Sequence, residues 1–160
     1  MNTSNALNPI NILLADDDSD DRYFFERALK AIPFSTKLET AEDGEYLMTY
    51  LSENLKTLPD ILFLDHNMPR KNGLECLVDI RSKPELKELP IIIYSTHVED
   101  DMADIFYEKG AHFYMRKTIQ KELNSVLNHI LVQFIERKTI VRPPRNRFVL
   151  SADTIMKSNR

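Results

Sequence analysis

Four apolar runs in the sequence each end at a chemically capable side chain. Ile12-Leu13-Leu14-Ala15 runs into Asp16-Asp17-Asp18, and Ile61-Leu62-Phe63-Leu64 into Asp65 and then Asn67. Ile91-Ile92-Ile93-Tyr94 runs into Ser95, and Phe113-Tyr114-Met115 into Arg116 and Lys117. If these ends converge, at least three carboxylates crowd one small space. Such crowding is unfavourable, because like charges a few ångströms apart raise one another's pKa. A hard divalent cation with oxygen ligands would keep them ionised. Magnesium fits best: it binds through one or two carboxylates, keeps several waters and then takes phosphate oxygens. Lys117 would supply a compact positive charge and Ser95 a hydroxyl, the groups wanted around a transferring phosphoryl group. The set reads as an acidic Mg2+ cradle with a carboxylate nucleophile, a cation and a hydroxyl.

These residues meet only if the runs are neighbouring strands. Strand-like runs recur at 10–15, 36–41, 60–65, 90–95 and 111–115. Helically spaced segments lie between them, such as Phe25, Ala28, Leu29, Ile32 after Ser19 as the expected N-cap, and Leu123, Leu127, Ile130, Phe134. Five strands alternating with five helices predict an α/β fold, (βα)5. Its doubly wound parallel sheet would carry helices on both faces through right-handed crossovers. The runs ending at Ala15, Asp65 and Ser95 are almost wholly apolar, as befits central strands buried on both faces; the polar run 36–41 suits an edge. Open α/β sheets bind ligands at the carboxyl ends of their strands, where the acids, Ser95 and Lys117 all stand.

The 160 residues are enough for one well-buried core and short for two. The chain divides into a disordered or extended stretch over 1–9, a domain over 10–136 and a basic arm over 137–160. The arm holds 7 of the 21 Lys and Arg and a single acid, Asp153, so residues 1–136 set 14 basic groups against 24 acids. Pro143-Pro144 forbids helix at that point and fixes an extended piece. Arg142, Arg145 and Arg147 come without a structured reading element or stacking platform, which argues against direct DNA binding. The first ten residues lack the pattern of a signal peptide, and no run approaches a membrane span, so a cytoplasmic protein with no membrane contact is expected. Cys76 falls in the apolar pattern of a helix and reads as a buried thiol. His66, His97, His112 and His129 share no metal-ligand spacing.

The strings LLADDDSDDRYFFERAL, LDHNMPRKNGLECL, LPIIIYSTH and GAHFYMRKT, in that order, resemble the receiver domain of two-component response regulators over residues 10–136. The resemblance implies a flavodoxin-like sheet of strand order 2-1-3-4-5 and a single-domain phosphorylation switch. It implies that Asp65 is the phosphoacceptor, attacking the phosphoryl group of a phosphohistidine on a sensor histidine kinase. Asp17 matches the direct Mg2+ ligand, Asp16 the acid that holds metal-bound water, and Asn67 the position whose backbone carbonyl completes the metal shell with Asp65. Ser95 matches the switch hydroxyl that turns toward the new phosphate, Lys117 the lysine that pairs with it, and Tyr114 the aromatic that moves inward behind the hydroxyl. His97, two residues beyond Ser95, matches a place that tunes access of water to the phosphate. Single-domain receivers with such extensions are similar to the partners of phytochrome-type kinases.

The family usually places a cis proline after the lysine, but here Thr118 follows. A non-proline cis bond costs roughly 3–4 kcal/mol, so a trans bond is expected. After the receiver the sequence shows no helix-turn-helix signature, zinc-ligand set or enzyme-like pattern, so output by binding is expected. The terminal helix carries Ile119, Leu131, Val132 and Ile135 beside its core stripe, a wider apolar arc than one sheet face requires. A homodimer through the fourth helix, fifth strand and fifth helix is expected to cover it, tightened by phosphorylation; the arm, with Phe148-Val149-Leu150, is the other candidate. The rival reading is a Mg2+-dependent phosphohydrolase using the same acids. Asn67 stands where aspartate-nucleophile phosphatases carry a second acid, which weighs against it.

Overall fold

A computed structural model describes residues 8–158 of the chain. For residues 1–7, the expected disordered or extended N-terminus lies outside the described residues. The elements follow in the order β1 (Ile10–Ala15), α1 (Ser19–Lys30), β2 (Thr36–Ala41), α2 (Gly44–Glu53), β3 (Ile61–Leu64), α3 (Gly73–Ser82), β4 (Ile91–Ser95), α4 (Asp100–Glu108), β5 (Phe113–Arg116), α5 (Gln120–Arg137), β6 (Val149–Leu150) and α6 (Ala152–Ser158). All strand pairs are parallel, and the sheet order is β2-β1-β3-β4-β5-β6. The expected flavodoxin-like order 2-1-3-4-5 is present, extended by a sixth strand that sequence periodicity does not reveal.

Alternation along each strand builds two cores. Ile12, Leu14, Ile61 and Phe63 point to the face covered by Phe25 and Leu29 of α1 and by Leu123, Leu127 and Ile130 of α5. Leu13, Ala15, Leu62 and Leu64 point to the other face, against Leu47 of α2, Leu77 and Ile80 of α3 and Phe106 of α4. β3 is buried along its whole length, which is why its sequence is continuously apolar. The N-cap of α1 corrects the expectation: Asp18, not Ser19, takes that place, its Oδ1 accepting from the N–H groups of Asp20 (2.8 Å) and Asp21 (3.1 Å). All peptide bonds among the described residues are trans, including Lys117–Thr118.

After α5 the chain turns at Lys138, which adopts a left-handed conformation, and returns along the sheet. Ile140, Phe148 and Leu150 are buried, and the Tyr114 N–H donates to the Phe148 carbonyl at 3.0 Å. Arg142 stacks its guanidinium 3.8 Å from the centre of the Tyr107 ring, the Tyr107 hydroxyl donates to Pro143 O, and Arg145 pairs with Asp104 at 2.8 Å. The surplus apolar arc of α5 is therefore shared out. Leu131 belongs to the core with Ile140 and Leu150, and Ile135 packs against that same core. Val132 is half-buried beside Ile155 and Met156, while Ile119 stays 68% exposed.

His112 ties the end of α4 to the sheet. Its Nδ1 accepts from the Ile91 N–H at 3.2 Å and lies 3.4 Å from Arg81 Nη2, while Arg81 Nε donates to Gly110 O and Arg142 Nε to Ala111 O. Burial first, then the charges of Arg81 and Arg142, push its pKa from 6.5 down to about 4. The unfolded chain therefore binds a proton between pH 6.5 and 4 that the folded chain refuses. The stability tied to His112 is complete above pH 6.5 and is lost as the pH falls toward 4, about 2 kcal/mol of it by pH 5. Urea unfolding of the protein and of His112→Gln between pH 7.5 and 5 should show a flatter pH dependence in the variant; parallel curves would refute the assignment.

Candidate functional site

The strand register brings the four predicted ends together. Ala15 pairs with Leu64 and Leu64 with Ile93, so Asp16 and Asp65 leave the sheet side by side, and Ser95 pairs with Arg116, which brings Lys117 to the same edge. Backbone hydrogen bonds continue the ladder one step: the Asp65 N–H donates to Ala15 O at 2.9 Å and the Lys117 N–H to Ser95 O at 2.7 Å. The loop after Asp65 folds back on itself, with the Gly73 N–H donating to His66 O at 2.8 Å. A Cβ at Gly73 would stand 2.4 Å from Asp65 O, so only glycine lets α3 start this close to the acid. Asn72 caps α3 in a capping box with Glu75.

Asp16 is fully buried, Asp65 and Ser95 are 3% and 2% exposed, and Asp17 faces solvent. Ligand oxygens of Asp16, Asp17 and Asp65 all lie within 4.8 Å of one another. Lys117 Nζ sits 2.8 Å from Asp16 Oδ2, 2.9 Å from Asp21 Oδ2 and 3.2 Å from Asp65 Oδ2. Its hydrogen bonds run to Asp21 and Asp65. The Asp16 contact, the shortest of the three, is a buried ion pair whose alignment is poorer than that of the other two, so Lys117 is the one cation that meets Asp16 Oδ2 among the described residues.

Burial, reinforced by the Asp16 charge and opposed by Lys117, pushes the Asp65 carboxyl up to about 7. Burial likewise raises Asp16, against the pull of Lys117 and of the Asp18 N–H, 3.0 Å from Asp16 Oδ1. Burial works against the Lys117 ammonium, but Asp16, Asp21 and Asp65 outweigh it and hold the pKa above the ordinary lysine range. The site thus has more negative charge than one ammonium balances, and that ammonium is shared among three carboxylates. Hard oxygen donors in that condition fit a hard divalent cation, with Asp16, Asp17 and Asp65 as the holders.

The structure thus places Asp16, Asp17, Asp65 and Lys117 together, with Ser95 buried at the adjoining strand end. The Asn67 N–H lies 3.4 Å from Asp65 Oδ1, immediately outside the cluster. Tyr114 stands further back: its ring is buried against Phe106 and Phe148, and its hydroxyl donates to His97 O at 2.9 Å. Sequence reasoning missed Asp21, whose partner Lys117 is 96 positions away. A cavity of about 870 Å3 opens beside Lys117, lined by Asp21, Phe24, Tyr94, Thr96 and Ile119 among others. Tyr23, Phe24 and Ile119 are exposed large apolar side chains of α1 and the α5 N-cap.

The family model of the response regulator receiver domain matches residues 12–128. Response regulator Rcp1 of Synechocystis sp. is 30% identical over 138 residues, covering 82% of this chain and 93% of its own. The manganese-bound form of Rcp1 superposes with a TM-score of 0.69 at 28% identity, over 85% of this chain and all of the other. The phosphorylated cyanobacterial phytochrome response regulator RcpA superposes with a TM-score of 0.71 at 27% identity, over 86% of this chain and all of that one. Among the described residues, no helix is long and apolar enough to cross a membrane.

The crowding of Asp16 and Asp65 carries a stability consequence. Replacing Asp16 with Asn removes one buried charge that Lys117 only partly balances, so the metal-free protein should gain about 1 kcal/mol at pH 7. Urea denaturation in a chelator measures this; a loss of stability would mean that the Asp16–Lys117 attraction outweighs the repulsion.

Proposed function

The chain belongs to the response regulator receiver domain family, and on that premise we propose that it is a single-domain response regulator phosphorylated on Asp65. The observation that carries the reading is the nearly buried Asp65 carboxylate, 3.2 Å from Lys117 Nζ and within 4.8 Å of two further acids. The donor would be a phosphohistidine of a sensor histidine kinase. A carboxylate oxygen of Asp65 attacks phosphorus, the phosphorus–nitrogen bond breaks, and its electron pair stays on the imidazole. Attack requires the ionised acid, which burial alone disfavours at neutral pH. Mg2+, held by Asp16, Asp17, Asp65 and the Asn67 carbonyl, would supply the charge that keeps Asp65 ionised and offsets the charge of the phosphoryl oxygens. Lys117 then pairs with a phosphoryl oxygen and the Ser95 hydroxyl donates to another. The manganese in Rcp1 and the phosphorylation of RcpA support both parts of this reading.

The likeness to RcpA also favours a phytochrome-type kinase as the partner. Exposed Tyr23, Phe24 and Ile119 give that kinase an apolar landing beside the cavity that leads to Lys117. We place the protein in the cytoplasm, without DNA or membrane contact. Its output is a change in the surface of α4, β5 and α5, transmitted by Ser95 and Tyr114, which favours a homodimer there. The arm already occupies the edge of β5, so a second copy would meet arm residues as well.

Two outcomes test this. Incubation with Mg2+ and a small acyl phosphate should add one phosphoryl mass, absent in Asp65→Asn; phosphate on the variant would place the acceptor elsewhere. Sedimentation at micromolar concentration should show self-association roughly tenfold tighter, about 1.4 kcal/mol, in the beryllofluoride-treated protein. Equally monomeric samples would remove the dimer from the reading.

A further inference from the structure

The Lys117 ammonium carries three N–H groups on a flexible four-carbon stem, so its direction is set by whatever holds it. Its two aligned hydrogen bonds run to Asp21 at 2.9 Å and to Asp65 at 3.2 Å. Of the three carboxylates around it, Asp16 and Asp65 belong to the cluster that fits a cation, and Asp21 does not. When Asp16 and Asp65 turn their charge to a cation or a phosphoryl group, Asp21 is the one carboxylate still committed to the lysine.

Asp21 is also well placed to hold. It lies in the first turn of α1, where its own N–H is tied to the Asp18 cap at 3.1 Å. Its side chain is one-third exposed, whereas that of Lys117 is only 11% exposed, so the anchor stands on the solvent side and the ammonium points inward. The Tyr94 ring, 5.5 Å from Nζ, closes another side. Asp20 is the internal contrast: the same residue type in the same turn, exposed, with no ion pair among the described residues. An acid serving only the helix dipole would act alike at both positions.

We propose that Asp21 is a positioning residue for phosphoryl acceptance: it anchors Lys117 Nζ so that one N–H is directed at the Asp65 oxygen before transfer and at a phosphoryl oxygen after it. This rests on the reading of Asp65 as the acceptor. Asp21 acts through Lys117 and does not touch the reacting atoms.

The test titrates Mg2+ alone, and beryllofluoride in the presence of Mg2+, into the full chain and its variants by calorimetry. Asp21→Ala should weaken beryllofluoride roughly tenfold and leave Mg2+ affinity within about twofold. Asp21→Asn, whose side-chain carbonyl still accepts from the ammonium, should recover part of the loss, and Asp20→Ala should change neither affinity. In a Lys117→Ala background, Asp21→Ala should cost nothing more, because the residue it anchors is gone. Unchanged or tighter beryllofluoride binding in Asp21→Ala overturns the proposal, as does an equal loss in the Lys117→Ala background. If the unaltered protein fails to bind beryllofluoride, the acceptor reading falls and this proposal with it.

Discussion

One ammonium set among four acids is the constraint on which the rest of this molecule depends. Asp16, Asp21 and Asp65 reach Lys117, and Asp17 stands beside two of them. Two of these acids, Asp16 and Asp65, are buried, where a charge taken out of bulk water is costly unless paired. Left to itself such a group would spread apart or take up protons. It is held by elements that cannot move independently: Asp16 and Asp65 continue adjacent strands, and Lys117 is bonded through its backbone to the strand that ends in Ser95. The apolar cores on both faces of the sheet stabilise what the rim destabilises. A cation or a phosphoryl group then meets electrostatic need already in place, with little reorganisation required.

The same geometry explains why small residues and caps surround the acids. Gly73 lets α3 begin against the backbone of Asp65, and the capping box of Asn72 and Glu75 fixes where that helix starts. Asp18 performs the same service for α1, which in turn fixes Asp21. Behind the site, aromatic contacts run from His66 to Phe106, from Phe106 to Tyr114 and from Tyr114 to Phe148. The residue next to the candidate acceptor is therefore in continuous van der Waals contact with the returning arm.

The central sheet was legible because its strands are buried on both faces, and burial on both faces writes an unbroken apolar run. β1 and β2 lie where their patterns end, while β3, β4 and β5 differ by a residue or two at their termini. Asp16, Asp65 and Ser95 were legible for the same reason, as the first polar residues past those runs, and Lys117 as the second past the last of them. The N-cap of α1 was not, since Asp18 and Ser19 are both good caps and only the chain direction chooses between them. Nor was β6: two residues carry no period, and Phe148 and Leu150 find burial only because α5 delivers them to the β5 edge. Asp21 was hidden by its company in an acidic run. Only closure of a contact spanning most of the chain separates it from Asp20.

The shortness of β6 bears on how the protein behaves at high concentration. β5 carries the three-residue apolar stretch Phe113-Tyr114-Met115, and its outer edge, if bare, would offer unpaired N–H and C=O groups to any passing strand. β6 fills that edge with two residues, and α6 begins two positions later, turning the chain out of the sheet plane. The new edge is too brief to nucleate growth of the sheet from one molecule to the next. At the opposite edge, β2 carries Lys37 and Glu39 in its exposed, charged run. Both rims of the sheet therefore resist strand-to-strand aggregation, one by charge and the other by truncation, and loss of the arm would expose the more hazardous of the two.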